Sequence, residues 1–468
     1  MRQTRREFLI RAGYACGGYA LGAAALASGV ARFSLINTLA QGTDYKALVC
    51  VFLAGGNDGN NTVVPLGTTE YNQYSAVRGA SGLAIPQANL LPITPTSFNT
   101  SFGLHPSLPD LQQLWLQQRL SVVCNVGPLV QPLTRQQYQS GGPRPYQLFS
   151  HSDQIAQWQT AIADSIARSG WGGRMADRFT PHASGYPTIT ALSGGIFIRG
   201  ETTNPLSIAS APTPLNQVLL LNGFGTGSDE VERRNSMTYL RSIDHQFSLV
   251  RGSSETTQQA IDVGQTLSAD PTLTTPFPNT ALGNQLKQVA KVIKLNRESP
   301  ALGLNRQIFF CQLGGFDTHQ GQVSTQASLL TQLGQGMKAF YEATIEIGVA
   351  SQVTTFTLSD FGRTLQPAGT NAGVVGSDHA WGSHHFVAGG AVRGGDFFGV
   401  AGPNGSVFPI LQLSGPNDTD TRGRWIPTVA VEQYAATLAS WFGVSAADIP
   451  VVFPNIGRFA ARDLGFMS

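Results

Sequence analysis

Three apolar stretches of the chain have the pattern of central strands in a parallel sheet. Residues 46–54 (KALVCVFLA) and 307–313 (QIFFCQL) are almost continuously apolar, and residues 353–358 (VTTFTL) are rich in β-branched side chains. Such runs are typical of strands that are buried on both faces. Each run is followed by a turn with glycine or aspartate, which predicts three strands whose carboxyl ends carry polar residues.

Segments with helical spacing alternate with these strands. Residues 108–115 place leucine and tryptophan on one helical face, and residues 120–126 form the next strand-like run. The same helical spacing recurs at residues 279–296, 326–348 and 431–443. Alternating helices and strands predict an α/β domain over residues 41–468, with a mostly parallel central sheet.

Three regions fit this alternation less well. Residues 66–100 are rich in Ser, Thr, Asn and Pro, and we predict a loop and lid there. Residues 200–300 contain polar helical patterns, which favour a helical insertion in the domain. Residues 452–459 (VFPNIGRF) are predicted to form a surface tail.

The composition and charge of the chain exclude several functional classes. The chain has 468 residues, of which only 12% are charged, and its net charge is +2. We therefore expect no nucleic-acid partner, since there is no basic stripe. The four cysteines include no CxxC pair, so neither a zinc knuckle nor a redox pair is indicated.

The N-terminus has the pattern of a targeting segment. Arg5 and Arg6 precede Phe8 and Leu9, and a weakly hydrophobic run follows over residues 12–31. This order predicts a twin-arginine signal peptide over residues 1–40, with the twin-arginine export machinery as partner. The alternative is a basic helix that anchors the chain to a membrane. We expect a periplasmic or secreted protein without a transmembrane anchor after cleavage.

Acidic and imidazole side chains follow the predicted strands. Asp58 comes after the first strand, Asp317 and His319 after the second, and Asp360 after the third. A further cluster lies close behind in the chain: Asp378, His379, His384 and His385. Carboxyl ends of parallel strands meet at one edge of a sheet, so these residues predict a divalent-metal site there. The alternative for Asp58 is a purely structural one, since Asn-Asp-Gly sequences favour turns. We expect either Asp360 or Asp378 to face the metal.

Two further residues are candidates for catalysis. Ser150 stands at the start of a predicted helix, where exposed N–H groups stabilise an anion, so it is a candidate nucleophile. Capping of the helix is the alternative, and Ser152 is a second candidate hydroxyl. Arg363 is expected to clamp an anionic substrate, with a salt bridge to a neighbouring carboxylate as the alternative.

The ordered motifs GGNDGNNTVVP, LHPSLPDL, SHSDQ, GGFDTH, SDFGRT and GSDHAWGSHHFVAGGAV resemble those of the DUF1501 family. That family is a group of exported bacterial proteins related to the alkaline phosphatase/sulfatase superfamily. The resemblance implies an α/β/α sandwich, alkaline phosphatase-like, with a two-metal hydrolase site. It implies metal ligands at Asp58, Asp317 and His319 together with His384 or His385, an Asp-His pair at Asp378 and His379, and Ser150 as nucleophile.

Together these features lead to one main hypothesis and one alternative. The main hypothesis is an exported metal-dependent hydrolase of phosphate or sulfate esters, acting on a small anionic ester or a polymer. We expect divalent metal ions as cofactors, with zinc favoured over calcium, magnesium or manganese. The alternative is a non-catalytic periplasmic or surface-assembly protein that retains the hydrolase fold.

Overall fold

The protein, in a computed structural model, is organised around one nine-stranded sheet. The structure describes residues 44–180, 186–219, 226–243, 245–267, 269–299, 302–370 and 374–468. Residues 46–468 form a single compact unit. The predicted signal peptide, residues 1–40, lies outside the described residues.

The secondary structure alternates as predicted. The strands are β1 (Lys46–Ala54), β2 (Val63–Pro65), β3 (Leu91–Ile93), β4 (Phe102–Leu104), β5 (Leu120–Gly127), β6 (Ile189–Ala191), β7 (Leu206–Ser207), β8 (Arg306–Gly314), β9 (Val353–Ser359), β10 (Arg363–Pro367), β11 (Ser377–His379), β12 (Ser383–Gly389), β13 (Phe397–Phe398) and β14 (Val429–Ala430). The helices are α1 (Gly59–Thr62), α2 (Thr68–Arg78), α3 (Pro109–Leu116), α4 (Arg135–Gln139), α5 (His151–Thr160), α6 (Trp171–Ala176), α7 (Ser228–Ser242), α8 (Ser248–Thr266), α9 (Ala281–Glu298), α10 (Gln322–Glu346), α11 (Val431–Phe442) and α12 (Ile449–Val452).

The central sheet has the strand order β13-β5-β12-β9-β1-β8-β6-β7, with β14 also paired to β5. Among the described strands of this sheet, only β12 runs antiparallel, to its neighbours β5 and β9. The three apolar runs of the sequence become β1, β8 and β9, which are adjacent and parallel. Their carboxyl ends therefore meet at the centre of one sheet edge, where open α/β sheets place their ligand sites.

Helices cover both faces of the sheet. The even-numbered residues of β1, Leu48, Cys50 and Phe52, belong to the core cluster that includes Tyr434 and Leu438 of α11. The odd-numbered residues of β1 are as deeply buried but lie outside that cluster. Helices α9 and α10 pack on each other, and α9 packs on β8. The predicted α/β/α sandwich with a mostly parallel sheet is confirmed.

Two local predictions are wrong. Residues 66–100 contain helix α2 and strand β3 as well as loops, and Arg78 at the end of α2 is completely buried. Residues 452–459 are not a surface tail, since Phe453 and Ile456 are buried in the core. In both regions, contacts with residues distant in the chain decide the structure, and local composition does not reveal them. Arg78 donates to the carbonyls of Thr364 and Leu365, and Phe453 belongs to the main core cluster.

The described part of residues 200–300 contains three α-helices. Helix α9 is part of the sandwich, whereas α7 and α8 contact each other. That α7 and α8 are an insertion in the domain stays a prediction. Within the described residues, no helix combines the length and apolar character needed to cross a membrane.

Candidate metal centre

The turns after β1, β8 and β9 approach each other closely at the sheet edge. Gly55 follows β1 with φ of +114°, and a Cβ atom there would lie 2.3 Å from the backbone nitrogen of Asp317. Only glycine fits such a conformation and such a close approach. Asp360 follows β9 directly, and its Oδ1 accepts the N–H of Gly55 at 3.0 Å. Gly55 thus lets the ends of β1, β8 and β9 come together.

Three histidine side chains converge on the carboxylate of Asp317. The Nε2 atoms of His151, His319 and His379 lie 3.6, 3.2 and 3.5 Å from Asp317 Oδ1. Ligand atoms of His151, Asp317 and His379 all lie within 4.8 Å of one another. His319 Nε2 lies 2.9 Å from His379 Nε2, so it is a fourth donor of the same group.

The four residues come from separate parts of the fold. Asp317 and His319 follow β8, and His379 ends β11, which forms a hairpin with β10. His151 is the first residue of α5. The chain enters α5 through Phe149, whose φ of +73° is uncommon for a residue other than glycine. In this backbone conformation the Phe149 carbonyl accepts a hydrogen bond from the His379 ring.

Each of the three histidines is held through its other ring nitrogen. The Nδ1 atom of His151 lies 2.7 Å from Asp360 Oδ2, and that of His319 lies 3.0 Å from Asp378 Oδ1. The Nδ1 atom of His379 lies 2.8 Å from the Phe149 carbonyl oxygen. All three partners are acceptors, so the proton of each neutral ring is on Nδ1 and the lone pair is on Nε2. Metal-binding histidines are oriented by this kind of hydrogen bond.

The donor set fits a divalent cation. With the lone pairs on Nε2, His319 and His379 direct two acceptors at each other across 2.9 Å, an arrangement that a shared cation stabilises. The Nε2 atom of His151 is buried and has no hydrogen-bond partner among the described residues. Imidazole and carboxylate ligands suit zinc and the neighbouring transition metals better than magnesium or calcium.

Electrostatics at the centre follow from these contacts. The hydrogen bond to Asp360 raises the pKa of His151 above its usual value, and this outweighs burial. Burial lowers the pKa of His379, and the nearby charge of Arg363 lowers it further. Burial alone would raise the pKa of Asp317, but the hydrogen bond and charge of Arg363 hold it below its usual value. The carboxylate is therefore ionised and available to a cation.

The sequence predicted that either Asp360 or Asp378 faces the metal, and the structure differs from both alternatives. Neither carboxylate points at the shared centre, because Asp360 binds His151 and Asp378 binds His319 through their Nδ1 atoms. Asp378 is in turn paired with Arg422 at 2.5 Å. Both aspartates are supports for the histidines, and the expectation that one of them is a ligand is corrected accordingly.

Asp58 does not join this group. Its carboxylate is almost fully buried and paired with Arg78 at 2.6 Å. The same carboxylate caps α1 through the N–H of Asn60 and accepts a hydrogen bond from Gln322. Its oxygens are therefore engaged by protein donors, and the expected metal ligand is a structural residue under the sheet edge.

His384 and His385, expected to bind the ion, also lie elsewhere. Both are buried on β12, and burial lowers the pKa of each to about 3. His384 stacks on Phe408, and His385 packs against Trp158. Among the described residues, the group around Asp317 is the only convergent set of three or more metal-ligating side chains. Where the sequence predicted a two-metal site, the described residues show one such donor group, and a second metal ion stays a prediction.

Arg363 lies beside the centre but is not placed to clamp a substrate. Its side chain is completely buried, and each of its three nitrogens donates to the protein. The acceptors include the carbonyls of Gly55 and Gly56 and the carboxylate of Asp317, at 2.6 Å. The salt-bridge alternative describes its position, and Arg363 serves to hold Asp317 against the turn after β1.

Ser150 stands where the sequence suggested, at the N-cap of α5. Its side chain makes no capping hydrogen bond, and its hydroxyl donates to Asp153 Oδ2 at 2.6 Å. Ser152 Oγ contacts the same carboxylate at 3.2 Å. Both hydroxyls thus remain candidate nucleophiles, with Ser150 next to His151 in the chain.

His151 is the functional candidate that the pattern at the strand ends missed. It follows no strand, and its motif, SHSDQ, reads locally as the start of a helix. The one signal was an imidazole between two serines at that start. Its partner Asp360 is 209 residues away in the chain, so only the fold brings the two together.

Comparison with known proteins places the chain in a family. A search of the curated proteins finds no match. Among solved structures, the chain is similar to Ps i-CgsB (8% identity, covering 88% of this chain and 77% of the other, TM-score 0.32) and to the PsFucS1 sulfatase from Pseudoalteromonas sp. (9%, 79% and 67%, 0.31). It is also similar to a mutant of TAB5 alkaline phosphatase with Mg bound (8%, 73% and 90%, 0.23).

The family model of DUF1501, described as a protein of unknown function, matches residues 45–407. This range contains β1 to β13 and all four residues that converge at the sheet edge. The chain belongs to the DUF1501 family.

Proposed function

We propose that this protein is an exported metal-dependent hydrolase of phosphate or sulfate esters that works at a single divalent-cation centre. The ligands are His151, His319, His379 and Asp317. One observation carries the proposal: three imidazoles, each held through Nδ1 by an acceptor, turn their Nε2 atoms toward one carboxylate. Hydrophobic packing gives no reason for such an arrangement.

The centre is open to solvent on one side. The side chains of Asp317 and His319 are 50% and 44% exposed, whereas structural zinc sites are closed to solvent and substrate. A divalent ion bound here would supply Lewis-acid stabilisation of the charge on a phosphoryl or sulfuryl oxygen. The exposure of Asp317 and His319 supports access for a small anionic group.

The chain itself supplies a hydroxyl and a proton acceptor. Ser150 is the proposed nucleophile, because its Oγ already donates to the Asp153 carboxylate and can pass its proton there. The first N–H groups of α5, next to Ser150, stabilise negative charge on a bound ester. Ser152 contacts the same carboxylate and is the second choice.

The alternative is a non-catalytic protein that keeps the fold and a bound ion. The observation in its favour is His319, since a fourth protein ligand can complete a tetrahedral ion and leave no position for substrate. The two functions differ in one property: only the hydrolase turns over an ester when the centre is loaded with metal.

Metal content and ester hydrolysis test the proposal together. We expect purified wild-type protein to hold about one divalent ion per chain and to hydrolyse para-nitrophenyl phosphate or para-nitrophenyl sulfate. His379→Ala should lose most of the ion and the activity, because it removes one of the four donors. His245→Ala is the matched control, since His245 is exposed and far along the chain from the centre.

The results distinguish the proposed hydrolase from the non-catalytic alternative and from a protein without the assigned centre. Substoichiometric metal in the wild type, or equal metal in His379→Ala and the control, contradicts the assigned centre. Full metal content with no hydrolysis of either ester supports the non-catalytic alternative.

Export rests on the sequence pattern of residues 1–40. If the twin-arginine machinery carries the chain, replacing Arg5 and Arg6 by lysine should retain the protein in the cytoplasm. Cell fractionation measures this, and unchanged export of the double variant contradicts the proposed route.

A further inference from the structure

A loop with two arginines lies next to the candidate metal centre. Residues 414–424 are folded around the buried carboxylate of Asp418, which accepts the backbone N–H groups of Ser414, Asp420, Gly423 and Arg424 at 2.9 to 3.2 Å. Arg135 of α4 holds the same loop by donating to the carbonyls of residues 415 and 420. These hydrogen bonds hold the backbone of both arginines, Arg422 and Arg424, in place.

Both arginines contact the residues that support the centre. Arg422 Nη2 lies 2.5 Å from Asp378 Oδ2, and the other oxygen of that carboxylate holds His319. Arg424 Nε donates to the His379 carbonyl at 3.0 Å, and its guanidinium lies over the Phe149 ring. The loop thus places positive charge directly behind two of the metal-binding histidines.

Arg422 also lines a cleft of about 690 Å³. The cleft is also lined by the end of α2 and the turn after it, and by β10 and the residues that follow: Ala76, Val77, Ala80, Gln366 and Ala368. No acidic residue is among the described residues of this lining. Arg422 is thus the one charged residue among the described residues of this lining, and its guanidinium is also paired with Asp378.

Arg422 has capacity for another partner. Its contacts with Asp378 and Gln366 use two of the five N–H groups of a guanidinium. About a third of its side chain, 32%, is exposed. Arginine binds tetrahedral oxyanions through parallel N–H donors, which makes a phosphate or sulfate group the natural ligand of this cleft.

We propose that the cleft binds a second anionic group of the substrate, so that the enzyme acts on polyanionic esters. This inference rests on the proposed function and names the substrate class of the same site. One ester group is presented to the centre around Asp317, and a neighbouring phosphate or sulfate group of the same molecule is bound by Arg422. Substrates with one anionic group lack the second contact and bind more weakly.

Charge variants at Ala76 test the cleft without touching the centre. Ala76 is an exposed residue of α2 that lines the cleft, and a helix accommodates Glu, Gln and Lys equally well there. The probes are glucose 1-phosphate and glucose 1,6-bisphosphate, which differ by one anionic group. Binding to the zinc-loaded protein is measured by isothermal titration calorimetry.

We expect the wild type to prefer the bisphosphate. Ala76→Glu should weaken bisphosphate binding about two- to fivefold, and Ala76→Lys should strengthen it by a similar factor. Ala76→Gln is the uncharged control of matched size and should resemble the wild type. Binding of glucose 1-phosphate should stay within twofold in all variants, because it leaves the cleft empty.

Other outcomes overturn the inference. Equal affinity for the two probes, no binding of either at millimolar concentration, or no effect of the charge at residue 76 would each refute it. Tight binding of inorganic phosphate to the cleft in the presence of glucose 1-phosphate would show a separate anion site instead. If the wild type binds no metal, only the proposed function is contradicted. Bisphosphate binding by the Ala76 variants can then be compared in the metal-free protein to test the cleft.

Discussion

Replacement of Asp360 by Asn is a demanding test of how the centre is built. Asp360 is buried, and its carboxylate accepts two hydrogen bonds: from His151 Nδ1 at 2.7 Å and from the Gly55 N–H at 3.0 Å. Asparagine has nearly the same shape but only one acceptor oxygen and one amide nitrogen. One of the two donors must therefore lose its acceptor.

In either orientation, the amide of the Asp360→Asn variant disrupts one of the two hydrogen bonds that support the centre. If its nitrogen faces His151, the ring must accept at Nδ1 and carry its proton on Nε2, the atom that binds the ion. If its nitrogen faces Gly55, a partly buried N–H loses its partner, at a cost of about 1 kcal/mol or more. Loss of such a supporting contact reduces metal affinity by about 10- to 100-fold, which corresponds to about 1.4 to 2.7 kcal/mol.

The assay is competition for zinc against a chromophoric chelator at pH 7.5. Asp153→Asn is the control, since Asp153 lies in the same helix but contacts serines rather than a histidine. Circular dichroism and thermal melting establish that both variants are folded. A folded Asp360→Asn variant with zinc affinity within threefold of the wild type would refute this role of Asp360.

The same variant makes a prediction for pH dependence. Protons and metal compete for His151 Nε2, and the contact with Asp360 raises the pKa of His151. In the wild type, zinc affinity should therefore begin to fall at a pH above 6.5, the usual pKa of histidine, as the solution is acidified. In Asp360→Asn the fall should begin at a lower pH. Zinc titrations between pH 5.5 and 8.5 measure the shift, and coincident profiles would contradict it.

Three further predictions concern single residues. Ser150→Ala should keep its metal and melting temperature but lose ester hydrolysis, whereas retained activity in an ester assay would remove this serine as nucleophile. Asp58→Asn should destabilise the fold by about 3 kcal/mol in urea unfolding, because it breaks the buried pair with Arg78, and should leave the metal content unchanged. Burial raises the pKa of Glu432 to about 8, so between pH 4.5 and 8 the native state holds a proton that the unfolded state has lost, and stability falls as pH rises. Glu432→Gln should thus match the wild type at pH 4 and be more stable at pH 8 by up to about 4 kcal/mol. A variant as stable as the wild type at both pH values would contradict the buried neutral state.

Much of the fold could be predicted because its determinants are local in the chain. The apolar runs of β1, β8 and β9 and the helical spacing of α9, α10 and α11 are visible within windows of ten to twenty residues. The glycine turns after β1 and β8 are likewise short signals. Where a segment is stabilised by distant contacts, as in α2 and residues 452–459, the local pattern misled.

In the candidate site, too, some residues could be predicted from local sequence patterns and others depend on distant contacts. Asp317, His319 and His379 could be selected from the sequence, since polar side chains after parallel strands collect at one sheet edge. The pairing of Asp58 with Arg78 could not, because nothing in a turn or a polar helix reveals that both side chains become buried together.

By itself, the sequence determined the class of fold, the edge of the sheet at which the chemistry lies and three of the four converging residues. Only the tertiary structure decided that His151 completes the group, that Asp360 and Asp378 support histidines, and that His384 and His385 are buried elsewhere. The physical reason is the range of the interactions. Periodicity records which residues are buried, whereas a ligand set depends on distances and on hydrogen-bond partners that come from remote parts of the chain.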